Sequence, residues 1–166
     1  VHDAAGEILA AVGFRSASEE PLFLEQYLAL PVEQELAAAR VINIDREQIV
    51  EIGSLASQGK GASIFLFVVL AAYLRQRGFA YACATATGVL RRTFTMFGFD
   101  VVELAHASGD RLSDHGDSWG KYYETDPRVI AGGIAGCYAQ LERFVPTAQN
   151  SEFGRLIPRL HYRPMP

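Results

Sequence analysis

The chain has 166 residues, 49% of them hydrophobic and 20% charged, enough to bury the core of one globular domain and too apolar for a disordered chain. Its net charge of −4 supplies no basic footprint for nucleic acid. The longest apolar run, residues 64–74, is too short for a bilayer span, which takes about 20 residues.

In chain order, residues 7–15 read as a strand entered through the turn at Ala4, Ala5 and Gly6. Apolar residues at helical spacing predict a short helix over 21–28, with Ser18, Glu19, Glu20 and Pro21 as its start signals, and a second over 31–36. Residues 48–52 form the next predicted strand. A loop over 53–63 follows, and then a helix over 64–77 stopped by Gly78. That helix is apolar nearly all round, so burial on most faces is expected. A strand over 79–86, a helix over 89–97 closed by Gly98 and a strand over 99–106 come next. Residues 108–126 read as irregular, and the small residues of 128–144 as helical in part.

This order predicts a single α/β (α+β) domain over 1–144, with a central twisted mixed sheet, mostly antiparallel, flanked by helices. Residues 145–166 read as a tail or cloning remnant. The chain opens on Val1 and not Met, so a missing natural N-terminus is expected, and no signal peptide is visible. Cys83 and Cys137 lie in apolar stretches and read as buried thiols, which favours the cytoplasm.

The strand–loop–helix unit of residues 48–78 is the sharpest local signal. Gly59 and Gly61 remove Cβ atoms that would block a close ligand, and they permit positive φ. The N–H groups at the start of the helix then face an anion with the positive end of the dipole, and Lys60 adds a full charge. A plain turn is the competing reading.

Three stretches together resemble the thermostable hemolysin family of bacterial proteins: Gly13, Phe14 and Arg15; the string Pro-Leu-Phe-Leu-Glu-Gln-Tyr-Leu of 21–28; and Ile-Val-Glu-Ile-Gly-Ser-Leu-Ala of 49–56. Thr85, Ala86 and Thr87, Leu90 and Arg91, Phe94, Gly98 and Phe99, and Trp119, Gly120, Tyr122 and Tyr123 extend the likeness. The pattern is also similar to the acyl-homoserine-lactone autoinducer synthases and to the GNAT-type N-acyltransferase fold. The resemblance implies an acyl-CoA N-acyltransferase-like fold and a donor-binding segment of Leu55, Ser57, Gln58, Gly59, Lys60, Gly61, Ala62 and Ser63. Gln58 and Gly61 match the pyrophosphate loop of that fold, while Ser63 replaces its last small residue. Phe94 stands where acetyltransferases usually place a general-acid Tyr, and residues 85–87 offer no clear counterpart of an Asn that supports coenzyme A. The implied donor is therefore an acyl thioester on either coenzyme A or an acyl carrier protein.

Acyl transfer to an amine needs a base for the ammonium proton and donors for the oxyanion. Glu51, on a central strand, is the expected base; a structural ion pair with Arg15 or Arg46 is the alternative. Glu25 is the second candidate catalytic carboxylate, with a solvated helix face as its competitor. Arg15 suits an acceptor carboxylate. Phe23, Trp119 and Tyr122 are the candidate walls of the acceptor pocket. Backbone N–H groups of 55–57 are implied as the oxyanion site. The four histidines lack metal spacing, and no Gly-x-Ser-x-Gly elbow is present, so neither a metal centre nor a serine hydrolase is expected. The expected partners are a small-molecule amine and an acyl carrier protein; a homodimer is left open. A membrane-active cytolysin and a ligand-binding module that lost its chemistry are the competing functions.

Overall fold

The computed structural model describes residues 1–58, 61–144 and 157–160. Strand β1, Ala10–Ser16, pairs antiparallel with β2, Ile49–Ser57. β2 runs five residues past the expected end at Ile52, through glycine and serine that read as loop. The pairing tolerates this because the register slips by one residue between the Gly13–Gly53 and Ala11–Ala56 pairs, where Ser54 takes a φ of 54°. Such a bulge carries a strand past an unfavourable residue and sharpens its twist.

On its other side β2 pairs in parallel with β3, Tyr81–Ala86, only where Ile49, Val50 and Glu51 face Tyr81, Ala82 and Cys83. Beyond that point the two strands part. β5, Arg128–Gly133, lies between β3 and β4, Val101–His106, antiparallel to both, and the sheet order is β1-β2-β3-β5-β4. A mixed sheet with one parallel pair is thus established. β5 occupies the start of 128–144, the segment expected to be helical in part. Ala131, Gly132 and Gly133 serve close packing: a Cβ on Gly132 would sit 3.2 Å from Val101 Cγ1 and 3.4 Å from Cys137 Sγ. Only α4, Ile134–Leu141, is helical there, before a last turn at Glu142–Phe144.

The helix expected over 21–28 is a 3-10 turn, Phe23–Tyr27, because the chain is extended again at Leu28. The one expected over 31–36 is α1, Val32–Arg40, which runs on to Arg40 and its two-pronged contact with Asp100. This turn and α1 cover one face of the sheet, where Leu24, Val32, Leu36, Ile49 and Cys83 form the main core. α2, Ala62–Gln76, and α4 cover the other face over Val50, Leu70, Leu74 and Ile134. Only one stripe of α2 is fully buried, Ala62, Leu66, Leu70 and Leu74 at every fourth residue, and its flanks are half-buried. α3, Gly88–Met96, leads from β3 towards β4.

Burial pushes the Cys83 thiol up to about 12 and the Cys137 thiol to about 11. Both are free, Cys83 in the core and Cys137 half-buried. Among the described residues no helix is long and apolar enough to cross a membrane. Of the segment after 144, residues 157–160 are described, and Ile157 exchanges two backbone hydrogen bonds with His2.

Candidate active site

The parting of β2 and β3 creates two spaces. One is an open cleft of about 1180 Å³ that runs along the split, with Arg15, Phe23, Glu51, Trp119 and Tyr122 on the side of the 3-10 turn and Tyr73 of α2 and Val89 and Thr93 of α3 on the other. On the face of α2, α3 and α4 lies an apolar cavity of about 140 Å³. Ile52, Gly53, Ser54, Leu55, Thr85 and Leu90 line both, so the two spaces meet at the split between the strands.

Glu51 sits at the apex of that split, on the last residue pair that still joins β2 to β3. It is 7% exposed. Its Oε2 accepts the Phe23 N–H at 2.8 Å and its Oε1 accepts the Leu24 N–H at 3.1 Å. Arg15 Nε lies 3.7 Å from Oε2, while Arg15 NH1 reaches Glu20 at 3.3 Å. Burial raises the Glu51 carboxyl above the usual carboxylate range, against the lowering pull of the two N–H groups and of Arg15. A buried carboxylate that still lines a cleft, with its proton held more tightly than usual, is suited to general acid–base work. The ion-pair alternative holds in part: Arg15 is near Glu51, whereas Arg46 is committed elsewhere.

Glu25 has a different setting, behind the turn and outside the residues lining the cleft. Arg46 clasps it through two hydrogen bonds of 2.6 and 2.7 Å, and it accepts the N–H groups of Leu22 at 2.8 Å and Val32 at 3.0 Å. Arg46 also pairs with Glu33 and donates to the Ala17 carbonyl. The clasp holds the Glu25 carboxyl down at about 2, so it carries its charge throughout the neutral range.

The four residues expected on the acceptor side, Arg15, Phe23, Trp119 and Tyr122, line one cleft. Trp119 stacks against Phe23 and Tyr122, each at 5.4 Å between ring centres, and Trp119 is 43% exposed at the cleft. Behind them the hydroxyls of Tyr27 and Tyr123 share a hydrogen bond of 2.7 Å, and Tyr122 donates to the Thr85 carbonyl. The sequence signal for the tyrosine pair is weak, because its partners are 96 residues apart.

The donor segment divides. Leu55 lines the cleft and the cavity, on a stretch of β2 that has no strand partner on its β3 side. Backbone groups of residues 52–56 that alternate towards that side have no partner on β3. Ser57 Oγ donates to Ser63 Oγ at 3.2 Å, and the Gln58 amide donates to the Ile8 carbonyl, tying the loop to the chain before β1. Gly61 takes a φ of 73° at the start of α2, and Ala62 is buried beneath it. Gly59 and Lys60 lie outside the described residues.

One feature escapes the sequence reading. Thr85 Oγ1 is buried with no hydrogen-bond partner among the protein atoms, at the junction of the two spaces. Phe94 packs with Phe67 and Phe99 and lines the cavity, not the cleft. A hydroxyl at a buried strand position is the available sign of the Thr85 feature, whereas Phe94 is already marked in the sequence by the absence of a phenol.

The sequence model of the family described as thermostable hemolysin matches residues 1–138. No curated protein matches at a significant level. Among solved structures, the chain is similar to the CoA-dependent acyl-homoserine lactone synthase MesI, at 12% identity and a TM-score of 0.57, over 84% of this chain and 64% of MesI. It is also similar to the synthase LasI, at 14% identity and a TM-score of 0.55, over 94% of this chain and 68% of LasI. A third neighbour, the CoA-dependent synthase BjaI solved with SAM and isopentyl-CoA, matches at 15% identity and a TM-score of 0.54, over 83% of this chain and 59% of BjaI. The chain thus spans about two thirds of these neighbours or less, and shares their acyltransferase-like fold.

Proposed function

The chain belongs to the thermostable hemolysin family, and from that premise we propose that it is an acyltransferase, moving an acyl group from a thioester on coenzyme A or an acyl carrier protein to an amine-bearing small molecule. The observation that carries this reading is the split between β2 and β3, which joins an open cleft to an apolar cavity and has Glu51 at its apex. A thioester laid in the split has its tail in apolar surroundings and its carbonyl beside the unpaired edge of β2. The positive start of α2 suits the phosphates of the donor. The amine enters from the side of Trp119, Phe23 and Tyr122, and Arg15 is the candidate partner for a carboxylate on it. SAM, present in the BjaI structure, is the first acceptor to test.

In the proposed step Glu51 takes a proton from the acceptor ammonium. The freed nitrogen attacks the thioester carbonyl carbon, the C–N bond forms, and the C–S bond breaks. The nitrogen gives up a second proton, the sulfur leaves as a thiolate and takes up that proton, and Glu51 returns its own proton to water. Backbone N–H groups of β2 stabilise the oxyanion that forms between. Glu25 is the positioning carboxylate: through Arg46 it fixes the turn whose N–H groups hold Glu51.

The test is amine-dependent thiol release with acyl-CoA and acyl carrier protein donors, each offered with SAM and with a panel of primary amines. Release with at least one donor is expected, and Glu51→Gln is expected to lower it by about 10²–10⁴-fold. No release with any pair would overturn the reading. Lysis of liposomes by the purified, lipid-free protein would support membrane activity instead, whereas lysis only by an extracted amphiphilic product fits acyl transfer.

A further inference from the structure

The apolar cavity has a size as well as a place. It is lined from four directions: by Phe67, Leu70 and Leu74 of α2, by Phe94 of α3, by Cys137 and Leu141 of α4, and by the sheet beneath. Its mouth is the split, where Leu55 and Thr85 also face the cleft. Its far end is Val101 of β4 with Cys137 and Leu141, three strand positions away from β2 in the sheet order.

The volume is about 140 Å³. An apolar cavity of about 150 Å³ lined by Leu, Ile and Phe stays dry and takes up one benzene, a body of about six carbon atoms. Deeper than the mouth, the side chains lining the cavity give a tail no polar partner beyond the weak thiol groups of Cys83 and Cys137. The buried hydroxyl of Thr85, the one without a partner among the described residues, marks the border where a polar head must stop.

We infer that this cavity receives the hydrocarbon tail of the acyl donor and limits it to a straight, saturated tail of about six carbon atoms, the limit being set by the volume its walls leave. The inference rests on the acyltransferase reading for the word donor alone; the cavity's choice of tail is a property of the folded chain by itself. It also gives Phe94 a task. The ring stands where a phenol would serve proton transfer, and here it lines the cavity.

Binding of the straight-chain 1-alkanols from propanol to decanol to the intact protein, followed by NMR shifts of cavity methyl groups, tests the size. Each added methylene is expected to tighten binding about fourfold up to about six carbons, the worth of one buried CH₂, and not at all beyond. Ala71→Leu, which fills the cavity from α2, is expected to move the break about three carbons shorter. Leu141→Ala is expected to move it about three carbons longer. If either variant fails to fold, the wild-type series alone decides. Affinity that climbs evenly through decanol, or no binding of any alkanol, would overturn the inference. Alkanols require no transfer chemistry, so a break near six carbons without thiol release from any thioester sinks the acyltransferase reading and leaves the cavity assignment standing. Thiol release with an even climb does the reverse.

Discussion

Glu25 and Glu51 stand on two sides of the same 3-10 turn, and each accepts backbone N–H groups from its start. The regions around them differ in what else reaches the carboxylate. At Glu25 the Arg46 guanidinium closes both oxygens and the group is fixed as an anion at about 2. At Glu51 the nearest cation is 3.7 Å away, burial wins, and the carboxyl is raised. A carboxylate clasped by a cation is committed to structure, while one that is buried, opens on a cleft and has only a distant cation keeps a proton to trade.

The comparison can be broken by removing each group in turn. The largest effect expected is on turnover: Glu51→Gln lowers thiol release by about 10²–10⁴-fold while urea unfolding shows a stability loss of only about 1–2 kcal/mol, from one mismatched N–H partner. Equal turnover with the wild type would remove Glu51 as base. Next, Glu25→Ala is expected to cost about 3 kcal/mol in the same unfolding experiment, because Arg46 and two N–H groups lose their shared partner. A loss below about 1 kcal/mol would show that the clasp is not what holds the turn.

The pH dependence sharpens the contrast. The folded Glu25 carboxyl lies at about 2 against an ordinary 4.5. Its contribution is complete above 4.5 and is lost as the pH falls towards 2, on the order of 2 kcal/mol after solvent screening. Glu51, raised in the folded state, has the opposite sign, and its contribution grows as the pH falls through its folded value. Unfolding free energies from pH 6 down to pH 2 are therefore expected to flatten in Glu25→Gln and to steepen in Glu51→Gln. The smallest effect is expected at the cleft wall: Trp119→Ala weakens acceptor binding by about 1 kcal/mol, read as a raised KM with little change in kcat.

How much of this was legible from the residues depends on range. Periodicity and end signals placed α2, β3, α3 and β4 to within a few residues, because those elements are locally consistent. β5 was missed because its small residues answer to Val101 and Cys137, which only the folded sheet brings near. The strand end at Ile52 was set too early, since a bulge at Ser54 is a cross-strand property of β1 and β2. The site was read in the same way. Arg15, Phe23, Glu51, Trp119 and Tyr122 do gather at one cleft, but the clasp on Glu25 joins Arg46 to it across 21 residues, and spacing alone carries no sign of that. The fold itself was legible through the motif strings at 13–15, 21–28 and 49–56, which belong to a family and not to a local pattern.

The central claim is that the split between β2 and β3 is where the donor lies. Amide hydrogen exchange of the intact protein, with and without a saturating acyl-CoA, addresses it residue by residue. The account predicts slowed exchange at amides of Gly53–Ser57 and at the first turn of α2, with little change over α1, Val32–Arg40, which lines neither space. Unchanged exchange across Gly53–Ser57 at saturation would contradict it.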